Sequence, residues 1–554
     1  MPRQFCIAIA DRNYTDWDVS DSISCNKQLH NFNPLESKLL HHDLFTWCPN
    51  TGTTIVSSRN RTDSLPGVII LSKTYGSYKE RFLYKCQPHN KHLPEFLLPY
   101  KIPILFMKKL TPVYVCFKFK EWVDKHPRGE ILNIIGRTDE LTHFYEYQLV
   151  CNNLTKSLKV FNINVKKRLS AQEDIINVIK KKYNVCDRRS HFIFTLDNND
   201  TRDFDDAIGL VSTSTGHILS VYITNVAIWM ETYNLWNSFS QRVSTIYLPD
   251  QKLPMLPNIL TDCLCSLKKG EERFAFTMDI HITNDWHISY VTFCNTLINV
   301  RENLTYTNCH HLPEFRQAMT VVKSIAPSVT TNRDMVSHLM VFMNHHASCV
   351  MLKYKNGIYR NVKEVAKDMP AAKDMPEDVS NYLTKYRHSA GEYVTFNDVT
   401  YHNHLQLDSY LHITSPIRRV VDLVNLIQLQ TNLGLMVFGV DANIFMFNQI
   451  CHLDQINTSM KAIRKVQNIC NVMSLFQGDF QDDIYEGYVF DRVVKDDDKV
   501  QYSIYFPQIK YTGKLVCSEE FREHSKHYFE LFMFKDEFNV NKKIKVQICE
   551  HFTK

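Results

Sequence analysis

Residues 195–208 read T-L-D-N-N-D-T-R-D-F-D-D-A-I. Asp197, Asp200, Asp203, Asp205 and Asp206 put five carboxylates within a few residues of one another, opposed only by Arg202. Ionised carboxylates this close repel each other, and burial raises their pKa values. A divalent cation removes the conflict, and an all-oxygen ligand set selects Mg²⁺, with Mn²⁺ as an alternative, over zinc. A calcium loop starting at Asp197 would need Gly at its sixth position and Glu at its twelfth. Those positions hold Arg202 and Ile208, so that reading fails. An exposed acidic turn is the competing explanation, but Phe204 and the apolar Ala207–Ile208 favour a packed loop. Clustered Asp residues with bound metal suit phosphoryl hydrolysis, in which one ion activates water and another steadies the leaving oxygen.

A second stretch, T-S-P-I-R-R-V-V-D at 414–422, suits the same chemistry. Ser415 as N-cap and Pro416 at the first helical position predict a helix starting here. Its free amides would favour a phosphate. Arg418 and Arg419 lie in that first turn, and Asp422, four residues beyond Arg418, would orient the Arg418 guanidinium. An ordinary capped helix with a surface ion pair is the alternative.

These residues must be positioned by elements that the rest of the chain foreshadows. The 554 residues are 44% hydrophobic and 22% charged, with a net charge of +5. Such a chain can bury a core and is neither disordered nor a wholly basic nucleic-acid coat. Residues 1–60 are a polar lead-in with little regular period. Residues 61–155 carry short β-type runs separated by turns, as in a small OB-like barrel. Residues 156–190 are a basic connector that is either a solvated helix face or a phosphate-contacting one. Residues 191–478 form the large α+β block, with helical periodicity in Arg333–Met351, Arg418–Gln430 and Ile456–Leu475. Residues 479–554 return to short strands, as in a second OB-like barrel. The tandem A-K-D-M-P at 366–370 and 372–376 reads as a surface-loop expansion. The absence of a C-x-x-C pair argues against zinc. No run of 18 apolar residues suggests a membrane span, and no apolar run near Met1 suggests a secretory signal. The expectation is a reduced, intracellular, cytoplasmic monomer.

The spacing D-x-x-x-x-x-D-x-D-D at Asp197, Asp203, Asp205 and Asp206 resembles the first signature of the RNase II/RNase R (RNB) exoribonucleases. H-L-Q-L-D-S-Y-L-H-I-T-S-P-I-R-R at 404–419 resembles the second. Between them, Ser244–Leu267 (STIYLPDQKLPMLPNILTDCLCSL) is similar to that family's Tyr-Leu-Pro … Pro-Met-Leu-Pro … Leu-Cys-Ser-Leu run. Weaker similarity in Arg81–Tyr100 points to the exosome-type members, although nothing in the sequence indicates exosome-like partners. The compact, divergent form suggests a homologue from a large DNA virus.

The resemblance implies an α+β multidomain protein, with a central RNB catalytic domain flanked by OB-fold β-barrels. It further implies a Mg²⁺-dependent, processive 3′→5′ exoribonuclease acting on single-stranded RNA by a two-metal mechanism. Asp197, Asp203 and Asp206 would hold metal, Asp205 would be the acid most needed for turnover, and Arg418 would stabilise charge on the scissile phosphate. Tyr247 would stack on the 3′-terminal base, with Arg419 a further RNA contact. A catalytically silent RNB-fold RNA-binding protein is the alternative. Departures from the family are Val420 for a Tyr, Leu426–Ile427 for a His-Arg pair, and Thr224–Asn225 for Ala-Asp. The runs Cys309–His310–His311 and His345–His346 lack metal-ligand spacing, and Cys263 and Cys265 are expected to be buried thiols.

Overall fold

The computed structural model describes all residues except 1–3, 22–31, 49–51, 104–109, 170–173, 363–374, 377–378, 381, 384–390, 404, 477–483, 496–498, 536–541 and 550–554. The A-K-D-M-P duplication falls largely outside the described residues. The chain divides into two units, Met1–Thr155 with Val466–Lys554, and Lys156–Lys465.

In the first unit, Leu65–Tyr78, Arg81–Pro88, Phe96–Tyr100, Arg128–Arg137 and Val113–Glu121 close into a five-stranded barrel in that order. Phe117 fills its interior. A Cβ on Gly67 or Gly129 would come within 2.9 or 2.8 Å of that ring, so only glycine lets these two strands approach it. Residues 4–57, which the sequence left without period, carry a four-stranded antiparallel sheet ordered Trp17–Asp21, Gln4–Ile9, Leu44–Cys48, Gly52–Ser57. Its buried Ile7, Leu39, Leu40 and Phe45 belong to the same core as the barrel's Phe96 and Phe117. At the other end of the chain, five antiparallel strands between Ile484 and Ile548 enclose Tyr502, Ile504, Phe506, Phe529 and Leu531.

The second unit is built on a seven-stranded sheet. Its order is Cys186–Asp187, Ile288–Asn299, Glu272–Thr283, Gly216–Thr224, Asp206–Thr213, Ile193–Asp197, Glu302–Thr305. The two outermost pairs are parallel and the four inner ones antiparallel. The inner strands are long apolar runs, because helices pack on them and bury Phe274, Phe276, Met278 and Ile280. The connector is part of this unit. Its helices Lys159–Leu169 and Ile175–Lys182 bury Phe161, Val165 and Ile179 in the same core. Several of its cations have partners: Arg188 pairs with Asp279, Arg189 with Asp187 and Glu272, and Lys180 with Asp187. The helix Asn332–Lys353 opens with a capping box between Thr331 and Asp334.

Candidate active site

Asp197 ends one central strand and Asp206 opens the next, so the loop between them carries Asp200, Asp203 and Asp205 at one end of the sheet. The loop is fixed from two sides. The Phe204 N–H donates to Ser266 Oγ at 3.1 Å, and the Leu267 N–H donates to the Phe204 carbonyl at 3.0 Å. The Thr224 N–H donates to the Asp205 carbonyl at 2.9 Å. The Leu-Cys-Ser-Leu run is therefore the clamp of the aspartate loop. Its Cys265 is buried, with the thiol pushed up to about 12 by desolvation, whereas Cys263 is exposed, contrary to expectation.

The arginine stretch folds differently from its sequence pattern. The helix begins at Val420, with Arg419 at its N-cap, and Pro416–Arg418 form a turn ahead of it. Side-chain carboxylates hold the amides of this turn. The Ser415 N–H donates to Asp422 Oδ1 at 2.8 Å, and the Ile417 N–H donates to Asp205 Oδ1 at 3.1 Å. The turn is tied to the third motif as well. Ser244 Oγ–H and the Thr245 N–H both donate to the Arg418 carbonyl, at 2.7 and 3.0 Å.

The three motifs thus converge. Arg418 Nε donates to Asp205 Oδ2 at 3.3 Å and its Nη2 to Ser415 Oγ at 2.8 Å, while the side chain stays 43% exposed. Asp205 is almost fully buried. Desolvation first, then Asp206 and Asp203, push its carboxyl up to about 7, against the opposing pull of Arg418 and the Ile417 N–H. Asp206 is raised to about 7 by desolvation and then by Asp197. Asp197 is likewise raised to about 7, mainly by desolvation and further by Asp205, and its Oδ2 is buried with no hydrogen-bond partner. Tyr247 stands at the edge, 41% exposed, with its Oη–H donating to Asp203 Oδ2 at 3.4 Å.

Two expected roles change. Arg419 turns inward: its Nη2 donates to the fully buried Asp422 at 2.8 Å. Asp422 therefore holds Arg419 and not Arg418. Asp200 is exposed, unlike the buried Asp203 and Asp205. The departures at 224 and 225 are also accounted for. Thr224 Oγ1–H donates to the Cys265 carbonyl at 2.6 Å. Asn225 caps the helix Val226–Thr232 and donates to both Asn295 and Gln430 at 2.9 Å. Val420, Leu426 and Ile427 are buried helix residues.

Sequence reasoning missed three neighbours of the site. Lys252 Nζ donates to Asp203 Oδ1 at 2.5 Å. The phenol of Tyr306 is raised by burial, then by Asp206 and Asp197, and Arg333 lies 5.1 Å from its ring centroid. Only the Tyr247–Lys252 spacing, compatible with a tight hairpin, carried a sequence signal for any of them.

The fold and this convergence define a multidomain α+β protein with a carboxylate–arginine centre at the end of its central sheet. Residues 186–339 and 321–434 match the model of the RNB domain family. It is 24% identical over 381 residues to ribonuclease R of Chlamydia pneumoniae, covering 55% of this chain and 56% of that protein. It is 33% identical over 178 residues to ribonuclease R of Mycoplasmopsis pulmonis, covering 32% of this chain and 24% of that one. The chain therefore spans about half, or less, of the length of these relatives. Among solved structures, Mycoplasma genitalium RNase R in complex with ribose methylated single-stranded RNA superposes with a TM-score of 0.70 at 15% identity, over 98% of this chain and 100% of that one. Yeast Ssd1, described as a pseudonuclease, superposes with a TM-score of 0.60 at 13% identity, over 95% and 80%. Among the described residues, no helix is long and apolar enough to cross a membrane.

Proposed function

We propose that the protein is a divalent-metal-dependent 3′→5′ exoribonuclease that hydrolyses single-stranded RNA to nucleoside 5′-monophosphates. The observation that carries this reading is the double engagement of buried Asp205 by the Ile417 N–H and the Arg418 guanidinium, in the loop whose Asp203 accepts from Tyr247. Ribonuclease R relatives, one of them solved with single-stranded RNA, support the substrate class.

The residues fit a hard cation. Asp197 has a buried oxygen without a partner, its charge pushes the Asp206 carboxyl up, and every donor is oxygen. Among the described residues, no group of three or more His, Cys, Asp or Glu is placed to hold an ion. Mg²⁺ or Mn²⁺ held by Asp197 and Asp206 would lower the pKa of the attacking water and share the phosphate charge. The remaining steps belong to the chain. Asp205 fixes the guanidinium of Arg418, whose exposed part is then oriented toward the charge developing on the scissile phosphate. The exposed ring of Tyr247 offers a stacking platform for a 3′-terminal base, worth roughly 1–3 kcal/mol regardless of sequence. Affinity for RNA then rests on backbone charge and stacking, without reading bases.

The likeness to a pseudonuclease favours a second reading, an RNA-binding protein with a silent site. A time course on uniformly labelled 3′-overhang RNA separates the two. Mononucleotide release with Mg²⁺, its loss with EDTA, and its loss in Asp205→Asn with gel-shift binding retained are the expected results. Binding without cleavage by the unaltered protein would establish the silent reading.

A further inference from the structure

Asp203 is the carboxylate of the loop that already holds a full positive charge. Lys252 Nζ lies 2.5 Å from its Oδ1, and the two side chains are only 17% and 3% exposed. Tyr247 Oη–H occupies its Oδ2. Both donors come from one short hairpin, in which Ile246–Tyr247 pairs antiparallel with Lys252–Leu253 and Tyr247 sits directly opposite Lys252. Opposed residues on paired strands project on the same side, so the hairpin delivers an ammonium and a phenol together onto one carboxylate. The contrast with Asp197 is direct: that carboxylate keeps a buried oxygen with no partner at all.

We propose that Lys252 is a resident cation of the site. Its ammonium stands where a second metal ion would be held, so the protein binds a single divalent ion, at Asp197 and Asp206. Asp203 serves as the anchor of the Tyr247–Lys252 hairpin, and Lys252 is a positioning residue that acts through it. A divalent ion reaching Asp203 would have to expel a buried ammonium from its carboxylate or stand beside it, and like charges at such range repel strongly in a poorly solvated pocket. A lysine does not dissociate, so this half of the site's positive charge is independent of metal concentration. The consequence for turnover rests on the exoribonuclease reading, but the ion count does not.

The test counts ions. Mn²⁺ is titrated into the full-length, metal-stripped protein, and free Mn²⁺ is read from its electron paramagnetic resonance signal. The unaltered protein and Lys252→Arg are expected to saturate at one ion per chain. Lys252→Met, which vacates Asp203 while keeping a chain of similar length, is expected to saturate at two. Any count other than one in the unaltered protein overturns the proposal, and so does a count of one in a Lys252→Met protein whose circular dichroism matches the parent. Should Lys252→Met fail to fold, the counts for the parent and Lys252→Arg decide. RNA degradation is followed in parallel: one ion without degradation overturns the exoribonuclease reading alone, and two ions with degradation overturn the assignment of Lys252 alone.

Discussion

Three carboxyls of the site, Asp197, Asp205 and Asp206, are each held near 7 in the folded chain against an ordinary value of 3.8. Between those two values the folded chain binds more protons than the unfolded one, so stability falls as pH rises through the window. The contribution is full below about pH 4 and lost as pH passes 7, where the acids are ionised with no cation between them. A bound divalent ion reverses that penalty, and it competes with protons for the same oxygens. Addition of Mg²⁺ is therefore expected to raise the melting temperature little at pH 5.5 and markedly more at pH 8, as read by thermal unfolding with an EDTA control. A shift of equal size at both pH values would contradict carboxylate ligation. Asp205→Asn removes the acceptor charge for Arg418 while keeping the shape of the side chain, and a loss of cleavage by two or more orders of magnitude is expected, consistent with removal of one electrostatic stabiliser of a transition state.

The elements that deliver these residues are held by partners far away in the chain. Asp205 accepts from Ile417, 212 residues later, and this contact, with Asp422 accepting from Ser415, fixes the turn that stands where a helix start was expected. The residue types in the three motifs were legible in the sequence, and so was their meeting in one site. The helix boundary and the pairing of Lys252 were not, because local pattern carries no record of an acceptor elsewhere in the chain. Nor was the inward turn of Arg419, because Asp422, three residues from Arg419 and four from Arg418, suits either arginine by spacing alone. Lys252 is one lysine between Gln251 and Leu253 until the hairpin folds it onto Asp203, 49 residues away. Asp422 is the element-level test. It holds both the Ser415 amide and the Arg419 guanidinium while fully buried. Asp422→Ala leaves a buried cation and a buried amide without acceptors, and a loss of about 3–5 kcal/mol is expected on chemical denaturation. A loss below about 1 kcal/mol would show that the pair is solvated in solution.

At the scale of the whole chain, one unit is continuous and the other is assembled from both ends of the sequence. Residues 1–60 read as aperiodic because their strands are short and interrupted, with register shifts such as that between Leu44 and Phe45, so no alternation survives long enough to see. The net charge of +5 likewise conceals a division of labour. The second unit contains every residue of the candidate site and a core of its own, running from Phe161 to Ile456. The first unit contributes the barrel, whose surface sets Lys120 Nζ 2.9 Å from Tyr78 Oη and 4.7 Å from its ring, with Lys85 5.1 Å from the ring of Tyr75 and Phe82 60% exposed nearby. Interleaved cations and exposed rings suit a single-stranded nucleic acid. A fragment spanning Lys156–Lys465 is therefore expected to unfold in one cooperative transition and to bind Mn²⁺ with the stoichiometry of the full chain. Its affinity for single-stranded RNA should depend less on salt, because each phosphate contact removed lowers the slope of log affinity against log salt by about 0.7. Fluorescence anisotropy at a series of salt concentrations measures this directly: removing four contacts would flatten the slope by about 3. An unchanged slope would place all of the phosphate contacts in the second unit and leave the barrel's aromatic, basic surface without a role in RNA affinity.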